Sequence, residues 1–454
     1  MRGHPGAGLY GPWALADVAW VSLTRGNEYR GRPATDADLK EILNYYFALD
    51  EPMRREPVGQ RLEGFLLRLA GQQLVWQEPE FPELARTLAL LQQTAPTKHL
   101  EVIEPGWDKR LLGCSLADYV GVAQLLFGAA TTMKGRFDPQ WLASDLDDFE
   151  DLTTPDNLAA VIDRHFATSA ERLRDEEVAA AALARADGKP ALDPVLRRFS
   201  YNPLRGKPVV TGYGPGSLVP VPAAVVAKAS CSGLYYTGLE GLGTAFTRDL
   251  GELFEQYIGR QLRLLPDADV HPEVVYIENK SERKSVDWFV VFDDLVLLVE
   301  VKSGLQLRLG PKDFATELSK KLEKALKQID RTVALVKEGR TEFAHIPVDR
   351  PILGMVVTMD VYHMVNSPEF RSALPETTVP ATITAIGELE DAVTVTDASL
   401  STILLDGARS ASPGGWWLRA DLAGHDTVAW NPILDEAWIA YPLAKPEGEP
   451  SVQS

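Results

Sequence analysis

The sequence has few of the residues that build disulfide frameworks, zinc sites or membrane spans. Its 454 residues include two cysteines, Cys114 and Cys231, and seven scattered histidines. Two cysteines cannot form a disulfide framework, and neither has zinc-ligand residues nearby in the sequence. No apolar run approaches the ~20 residues that a membrane-spanning helix needs, and the first residues lack the long apolar segment of a secretory signal. These absences predict a cytoplasmic protein that does not act at a membrane.

Short motifs of several enzyme classes are also missing. The sequence contains no G-x-S-x-G, no H-E-x-x-H and no Walker phosphate-binding loop. A net charge of −18 argues against broad electrostatic attachment to nucleic acid. The charge is uneven, however, because residues 280–340 carry 13 Lys+Arg against 10 Asp+Glu. This basic island in an acidic chain is the candidate region for contact with a negatively charged substrate.

Composition and periodicity divide the chain into four parts. Apolar residues at helical spacing predict a mainly helical N-terminal domain over residues 1–186. Proline and glycine concentrate in residues 187–243, which predicts a connector with short strands. Residues 244–360 combine helices with apolar strands, and residues 361–454 predict an α+β region with a disordered tail. The N-terminal helical domain is a candidate surface for a protein partner, and an oligomer is compatible with this organisation.

The most informative stretch is SVDWFVVFDDLVLLVEVKSG, residues 285–304. Two apolar runs flank an Asp-Asp pair, which predicts a β-hairpin. Side chains alternate along a strand, so Glu300 and Lys302 share one face of the second strand. Asp287 stands at the outer end of the first strand, beside the outer end of the second. The hairpin therefore predicts that Asp287, Glu300 and Lys302 converge.

Converging carboxylates of this kind indicate a metal site. Two carboxylates close together repel each other unless a cation lies between them. Oxygen ligands with open water positions suit Mg²⁺ or Mn²⁺. A lysine beside the metal can orient a water molecule and offset the charge of a pentavalent phosphate. The alternative, a solvated hairpin edge, would show polar residues at every second position, whereas these strands are almost wholly apolar.

Two amphipathic helices and a further strand are predicted around the hairpin. The upstream helix, Phe246 to Leu265, has an apolar face formed by Phe246, Leu250, Leu253, Tyr257 and Ile258. The downstream helix, Lys312 to Val336, has an apolar face formed by Phe314, Leu318, Leu322, Ala325, Ile329 and Val333. Gly259 would let the upstream helix approach the sheet closely. Arg350 to Asp360 is a continuous apolar run, which predicts the next strand of the central sheet.

The hairpin residues resemble the motif of the PD-(D/E)XK nuclease superfamily. Asp287 is followed, after twelve residues, by Glu300-Val301-Lys302. Val286 stands where the superfamily usually has a proline, which is often missing among its members. The piece GELFEQYIG resembles the superfamily's first-helix motif.

The resemblance covers residues 246–360 and implies an α/β fold. Its core would be restriction-endonuclease-like, a central mixed sheet flanked by helices, between the helical N-terminal domain and the α+β C-terminal region. The metal ligands that it implies are Asp287, Glu300, the Val301 carbonyl and Glu255, with Mg²⁺ or Mn²⁺ as the ion. Lys302 would orient the attacking water. Gln328, on the downstream helix, would position the substrate or Lys302.

The function implied by the resemblance is metal-dependent hydrolysis of phosphodiester bonds. DNA is favoured over RNA because most relatives cut DNA, and RNA stays open. A nuclease core joined to large unfamiliar domains also resembles effectors of bacterial restriction or anti-phage defence. An alternative is an inactive nuclease fold that serves as a nucleic-acid-binding or scaffold subunit of a larger complex.

Basic residues near the hairpin are candidates for contact with nucleic acid. A strand is predicted in residues 269–278, followed by a basic turn, NKSERKS. The downstream helix carries a basic stripe formed by Lys320, Lys324, Lys327 and Arg331. The candidates from the turn and the stripe are Lys280, Arg283, Lys284, Lys324 and Arg331. The alternatives are a solvated turn and an exposed helix face with the ion pairs Glu317–Lys321 and Glu323–Lys327.

Overall fold

The structure of the chain is a computed structural model that divides into two compact units. It describes residues 11–27, 31–48, 80–138, 155–186, 202–213, 216–304, 311–362, 365–411 and 416–439. The first unit comprises Met1–Leu88, Pro105–Thr237 and Ile439–Ser454. The second unit comprises Ala89–Glu104 and Gly238–Trp438. Both units combine helices with strands.

The chain before residue 230 forms helices and one small sheet. The helices are α1 (Pro12–Arg25), α2 (Asp36–Ala48), α3 (Glu80–Leu91), α4 (Trp107–Leu112), α5 (Leu116–Thr132), α6 (Pro155–Val161), α7 (Ala170–Ala186) and α8 (Ala223–Ala229). The strands are β1 (Arg136–Phe137), β2 (Ala167–Ser169), β3 (Val209–Thr211) and β4 (Ser217–Leu218). Their order is β1-β4-β3-β2, and β2 pairs with β3 in parallel. A core cluster of the first unit consists of Trp20, Leu23, Leu173, Leu204 and Val210.

The second unit contains a five-stranded mixed sheet. The remaining strands are β5 (Ala268–Pro272), β6 (Val275–Glu278), β7 (Ser281–Lys284), β8 (Trp288–Phe292), β9 (Val296–Lys302), β10 (Ile352–Thr358) and β11 (Ala381–Ala385). The sheet has the order β11-β10-β9-β8-β5. The pairing of β8 with β9 confirms the predicted hairpin, and the parallel pairing of β10 with β9 confirms the predicted next strand. All residues of β8 and β10 are buried, as continuous apolar strands require.

The helices of the second unit carry the predicted apolar faces. The remaining helices are α9 (Cys231–Leu262), α10 (Pro311–Lys337), α11 (Pro368–Arg371), α12 (Ile386–Ala392), α13 (Leu400–Ser410), α14 (Leu418–Leu422) and α15 (Pro432–Ile439). Gly243, with φ 70° and ψ −161°, interrupts α9. The five predicted residues of the α9 face are buried after this kink. The α10 face is also buried, from Leu318 to Val333, and packs on β9 and β10. The side chain of Phe314 lies outside the described residues.

One prediction for the segment before the hairpin is wrong. The sequence predicts one strand in residues 269–278 and then a turn, whereas the structure has two strands there, β5 and β6. The strand β7 follows and pairs with β6 in an antiparallel hairpin. Asn279 and Lys280 form the connection with φ of 49° and 62°, the left-handed conformation that suits a two-residue hairpin turn. The strand β7 has no apolar signal because all four of its residues are polar and exposed.

Some predicted features fall on residues that are not described. The predicted disordered tail and residues 187–201 of the predicted connector lie outside the described residues. Within the described part of the chain, no helix combines the length and the apolar character that crossing a membrane requires.

The helix α9 approaches the sheet most closely at Gly259. A Cβ atom on Gly259 would stand 2.2 Å from the ring of Trp288, so a glycine is needed there. The Trp288 indole N–H donates to the backbone carbonyl of Glu255 at 2.9 Å. The guanidinium of Arg263 lies over the same ring, 4.7 Å from its centre. The predicted close approach is confirmed.

Replacing Gly259 with alanine is expected to destabilise the protein. The added methyl group would overlap the Trp288 ring, and overpacking of this kind costs about 1–3 kcal/mol of unfolding free energy, more than alanine gains as a better helix former. The matched control is Gly424→Ala, because a Cβ atom at Gly424 has no neighbour within 4 Å. Urea unfolding of both variants measures the difference. Equal stability of the two variants would contradict the close approach.

Candidate metal centre

Three carboxylates from separate elements meet at one end of the sheet. Glu255 comes from α9, Glu273 from the link between β5 and β6, and Asp287 from the residue before β8. One carboxylate oxygen of each lies within 4.8 Å of the others. The pairing explains the meeting: β5 and β8 are antiparallel with Pro272 opposite Trp288, so the next residues outward are Glu273 and Asp287.

Glu300 lies beside this cluster and is paired with Lys302. The hairpin register, with Trp288 opposite Val299, places Glu300 across from Asp287. Glu300 is 6% exposed, and its Oε1 atom is 2.5 Å from Lys302 Nζ. Its Oε2 atom is buried and has no hydrogen-bond partner among the described residues. An unpartnered buried carboxylate oxygen is costly, and a bound cation is a partner that would offset the cost.

Burial raises the pKa of three carboxyl groups at the site, those of Glu300, Glu255 and Asp287. Burial raises the pKa of Glu300 to about 8, the charge of Asp287 adds to the shift, and Lys302 opposes it. Burial and the charge of Asp287 raise the pKa of Glu255 to about 7, against the influence of Lys98. Burial also raises the pKa of Asp287, while Lys302 and the Val301 N–H act in the other direction. A divalent cation would favour the ionised form of all three groups.

The predicted site residues come together in a different grouping from the one that the resemblance implies. The resemblance joins Asp287, Glu300, the Val301 carbonyl and Glu255 around the metal. In the structure Asp287 Oδ2 accepts the Val301 N–H at 2.7 Å, and the Val301 carbonyl accepts from Lys302 Nζ at 3.0 Å. Asp287 groups with Glu255 and with an acid that the sequence did not indicate. Glu300 and the Val301 carbonyl surround the Lys302 ammonium.

That additional acid is Glu273. It follows a strand that carries no distinctive motif, and its position depends on the pairing of β5 with β8. Glu273 can be recognised as a site residue only once that pairing is known. The β6–β7 hairpin leaves the sheet after Glu273 and returns to it at Asp287. Lys284 Nζ lies 2.5 Å from Glu273 Oε1, so the predicted basic segment does reach the site.

Gln328 holds the backbone just before Asp287. Its side-chain amide donates to the carbonyl oxygens of Lys284, at 2.5 Å, and Ser285, at 2.9 Å. One turn later on α10, Thr332 Oγ1 accepts the N–H of Val286 at 3.1 Å. These contacts make Gln328 a positioning residue for Asp287. Thr332 is a positioning residue of the same kind. The sequence did not indicate it, because a threonine on a helix is not distinctive by itself.

The other basic candidates lie around the β6–β7 hairpin and along α10. Lys280 is in the turn of the hairpin, and Arg283 lies on β7 opposite Tyr276. Arg331 forms an ion pair with Glu278 and lies over the Tyr276 ring. A groove of about 480 Å³ runs along α10 and is lined by Lys320, Glu323, Lys324, Lys327, Gln328 and Arg331.

Ion pairs occupy most of the basic stripe. Lys327 pairs with Glu323, as predicted. The predicted Glu317–Lys321 pair is wrong, because Lys320 pairs with Glu317 at 2.9 Å. Lys321 points toward the end of β9, where its Nζ donates to the Gly304 carbonyl at 2.6 Å. Much of the stripe therefore matches the alternative of an exposed face with intrahelical ion pairs.

The buried carboxylates predict how stability depends on pH without metal. The folded-state pKa of Glu300, about 8, lies above its ordinary value of 4.5. The folded state therefore binds this proton more tightly, and the stability it contributes is lost as pH rises from about 4.5 to about 8. Glu255, with a pKa of about 7, acts in the same direction. Glu300→Gln is expected to flatten this loss and to raise the melting temperature in EDTA at about pH 9 relative to wild type.

Thermal unfolding of wild type and variant in EDTA, from about pH 5 to about pH 9, measures the effect. Each pKa unit corresponds to roughly 1.4 kcal/mol of unfolding free energy, before solvent relaxation reduces it. The control is Glu317→Gln, a partly exposed glutamate paired with Lys320. This control should keep the wild-type pH dependence. If the melting temperature of Glu300→Gln changes with pH in parallel with that of wild type, the raised pKa of Glu300 is contradicted.

Comparison with known proteins adds no relationship. The chain matches no model of a protein family, no curated protein and no solved structure. The likeness to PD-(D/E)XK nucleases therefore depends on the residues and elements described above, and the function has to be argued from the site.

Proposed function

We propose that this protein is a divalent-metal-dependent nuclease with a restriction-endonuclease-like core in its second unit. The observation that carries the proposal is the meeting of Glu255, Glu273 and Asp287 beside the Glu300–Lys302 pair. The order of elements supports it: α9, then the β8–β9 hairpin, then α10 and β10, around a mixed sheet. The acids and the lysine of the PD-(D/E)XK motif stand at adjacent strand ends.

The donor atoms of the site fit Mg²⁺ or Mn²⁺. All of them are carboxylate oxygens, which hard divalent cations prefer, and no histidine or cysteine joins the described cluster. The buried, unpartnered Oε2 atom of Glu300 is a further oxygen that a cation could satisfy. When bound, the cation would supply Lewis-acid activation of a phosphate oxygen and of water.

The protein's own groups would position and stabilise the reacting atoms. Glu255, Glu273 and Asp287 would hold the cation. Lys302, whose side chain is 22% exposed, would orient the attacking water. As the water oxygen bonds to phosphorus and the ester P–O bond breaks, the Lys302 ammonium would offset the developing negative charge. Glu300 keeps that ammonium in place through its 2.5 Å ion pair.

Nucleic acid is the substrate class that suits this site, and we favour DNA over RNA. Lys284 reaches the site itself, and Lys280 and Arg283 extend the basic surface along the adjoining hairpin. Lys324, in the α10 groove, forms no ion pair among the described residues. The rest of the chain is strongly acidic, which would confine substrate contact to this region. By analogy with other nuclease cores joined to large unfamiliar domains, we further propose a cytoplasmic effector of restriction or anti-phage defence that a protein partner or an oligomer activates.

Cleavage of nucleic acid tests the proposal. Wild type is expected to cut plasmid or linear DNA with Mg²⁺ or Mn²⁺ and to be silent in EDTA. Lys302→Ala is expected to lower the rate by roughly 10²-fold or more, because it removes the charge beside the reacting phosphate. The matched control is Lys109→Ala, which truncates an exposed lysine of the first unit.

Single-stranded DNA and RNA in parallel reactions identify the substrate, and melting temperatures confirm that both variants fold. If Lys302→Ala still cuts, the active site does not lie at the β8–β9 hairpin. A folded wild type that binds neither Mn²⁺ nor nucleic acid would favour the inactive scaffold instead.

Metal binding distinguishes the two groupings of ligands. Glu273→Gln is expected to weaken Mn²⁺ binding at least ~10-fold by calorimetry, because it removes one of three clustered carboxylates. The control is Glu282→Gln, on the exposed strand β7, which should bind as wild type does. If Glu273→Gln binds normally and Glu300→Gln does not, the cation is held by Asp287, Glu300, the Val301 carbonyl and Glu255, as the resemblance implies.

A further inference from the structure

A segment from far upstream in the sequence is attached to the helix that carries Glu255. The Asp249 carboxylate accepts the backbone N–H groups of Glu101, Val102 and Ile103 at 3.0, 2.6 and 2.9 Å. Asp249 is 6% exposed, and Glu101 precedes it by 148 residues. Three charge-assisted hydrogen bonds to one buried carboxylate hold this backbone in a defined place.

The next turn of the same helix holds the residues before that segment. The Glu252 carboxylate accepts from the N–H and the hydroxyl of Thr97, at 3.2 and 2.7 Å, and from Lys98 Nζ, at 2.7 Å. Glu255 follows Glu252 by three residues and lies on the same face of α9. The segment that contains Thr97 and Lys98 is therefore held beside the candidate metal centre.

Lys98 stands at the edge of the acidic cluster. Its Nζ atom is 3.9 Å from Glu273 Oε1, and its charge lowers the pKa of Glu255 against the effect of burial. The side chain is 49% exposed, so the ammonium borders both the carboxylates and the solvent. A ligand that approaches the cluster from solvent would meet this ammonium.

We propose that Lys98 is a substrate-binding residue, which donates to a non-bridging phosphate oxygen of the nucleic-acid backbone at the metal centre. The inference rests on the proposed nuclease function and deepens it. A lysine ammonium is a compact charge on a flexible stem, which suits a single phosphate oxygen. A cation bound by Glu255 and Glu273 would neutralise the carboxylates that attract Lys98. The Nζ atom of Lys98 could then turn to the phosphate. The Glu252 carboxylate keeps Lys98 at the site before substrate arrives.

The opposing interpretation is that Lys98 is a counter-ion for Glu252 and Glu273. The two roles differ in what a neutral side chain changes. A counter-ion affects folding and metal binding, since its loss leaves carboxylates less compensated. A phosphate ligand affects the affinity for nucleic acid and its salt dependence, because each lysine that neutralises a phosphate releases counterions.

The test compares Lys98→Gln, Lys98→Arg and the control Lys109→Gln with wild type. Binding of a fluorescent DNA duplex of about 20 base pairs is followed by anisotropy at several KCl concentrations, with Ca²⁺ in place of Mg²⁺. Lys98→Gln is expected to weaken binding roughly 3–10-fold and to reduce the slope of log affinity against log salt by about 1. Lys98→Arg should restore most of the binding. Mn²⁺ affinity and melting temperature should stay near wild type in all three variants.

Each outcome decides between the roles. Unchanged DNA affinity and salt slope in Lys98→Gln, while wild type binds, would overturn the inference and leave the nuclease proposal intact. A parallel loss of melting temperature and Mn²⁺ affinity in Lys98→Gln, without a change in salt slope, would identify a counter-ion and overturn it as well. A wild type that shows neither metal-dependent binding nor cleavage would remove the proposed function, and the inference with it.

Discussion

The contact between Gly259 and Trp288 is the constraint on which the site depends. The indole fits into the space that a side chain at Gly259 would fill, and its N–H donates to the Glu255 carbonyl. Asp287 is the residue before Trp288, so this contact helps to fix the distance between Glu255 on α9 and Asp287 just before β8. The register of α9 on the sheet and the assembly of the carboxylates therefore have the same physical cause. A larger residue at Gly259 would disturb both.

The site brings four carboxylates together in a partly buried place, and neighbouring cations offset their charge. Lys302 compensates Glu300, and Lys284 compensates Glu273. Burial still raises the pKa values of Glu255, Asp287 and Glu300. Such an arrangement reduces stability at alkaline pH, and this cost is typical of groups arranged for chemistry rather than for folding. A divalent cation would relieve the repulsion, which links the energetics of the fold to the proposed function.

Positioning of the site relies on contacts made by backbone as much as by side chains. Gln328 and Thr332 hold the two residues before Asp287, and Asp249 holds the segment that carries Lys98. None of these groups has to touch a substrate to matter. They restrict the movement of the charged residues, and restricted geometry is what a hydrolytic site needs in order to act on a phosphate at a defined distance.

The sequence by itself determined the hairpin, the two amphipathic helices and the convergence of Asp287, Glu300 and Lys302, because these features follow from local periodicity and from a short turn. Glu273, Lys98 and the polar strand β7 could not be found in this way. Glu273 reaches the site through the pairing of β5 with β8, and Lys98 through hydrogen bonds across a long separation in sequence. Contacts of that kind depend on which distant segments meet, and the tertiary structure alone decides that, because a carboxylate or a lysine carries no information in the sequence about its eventual neighbours.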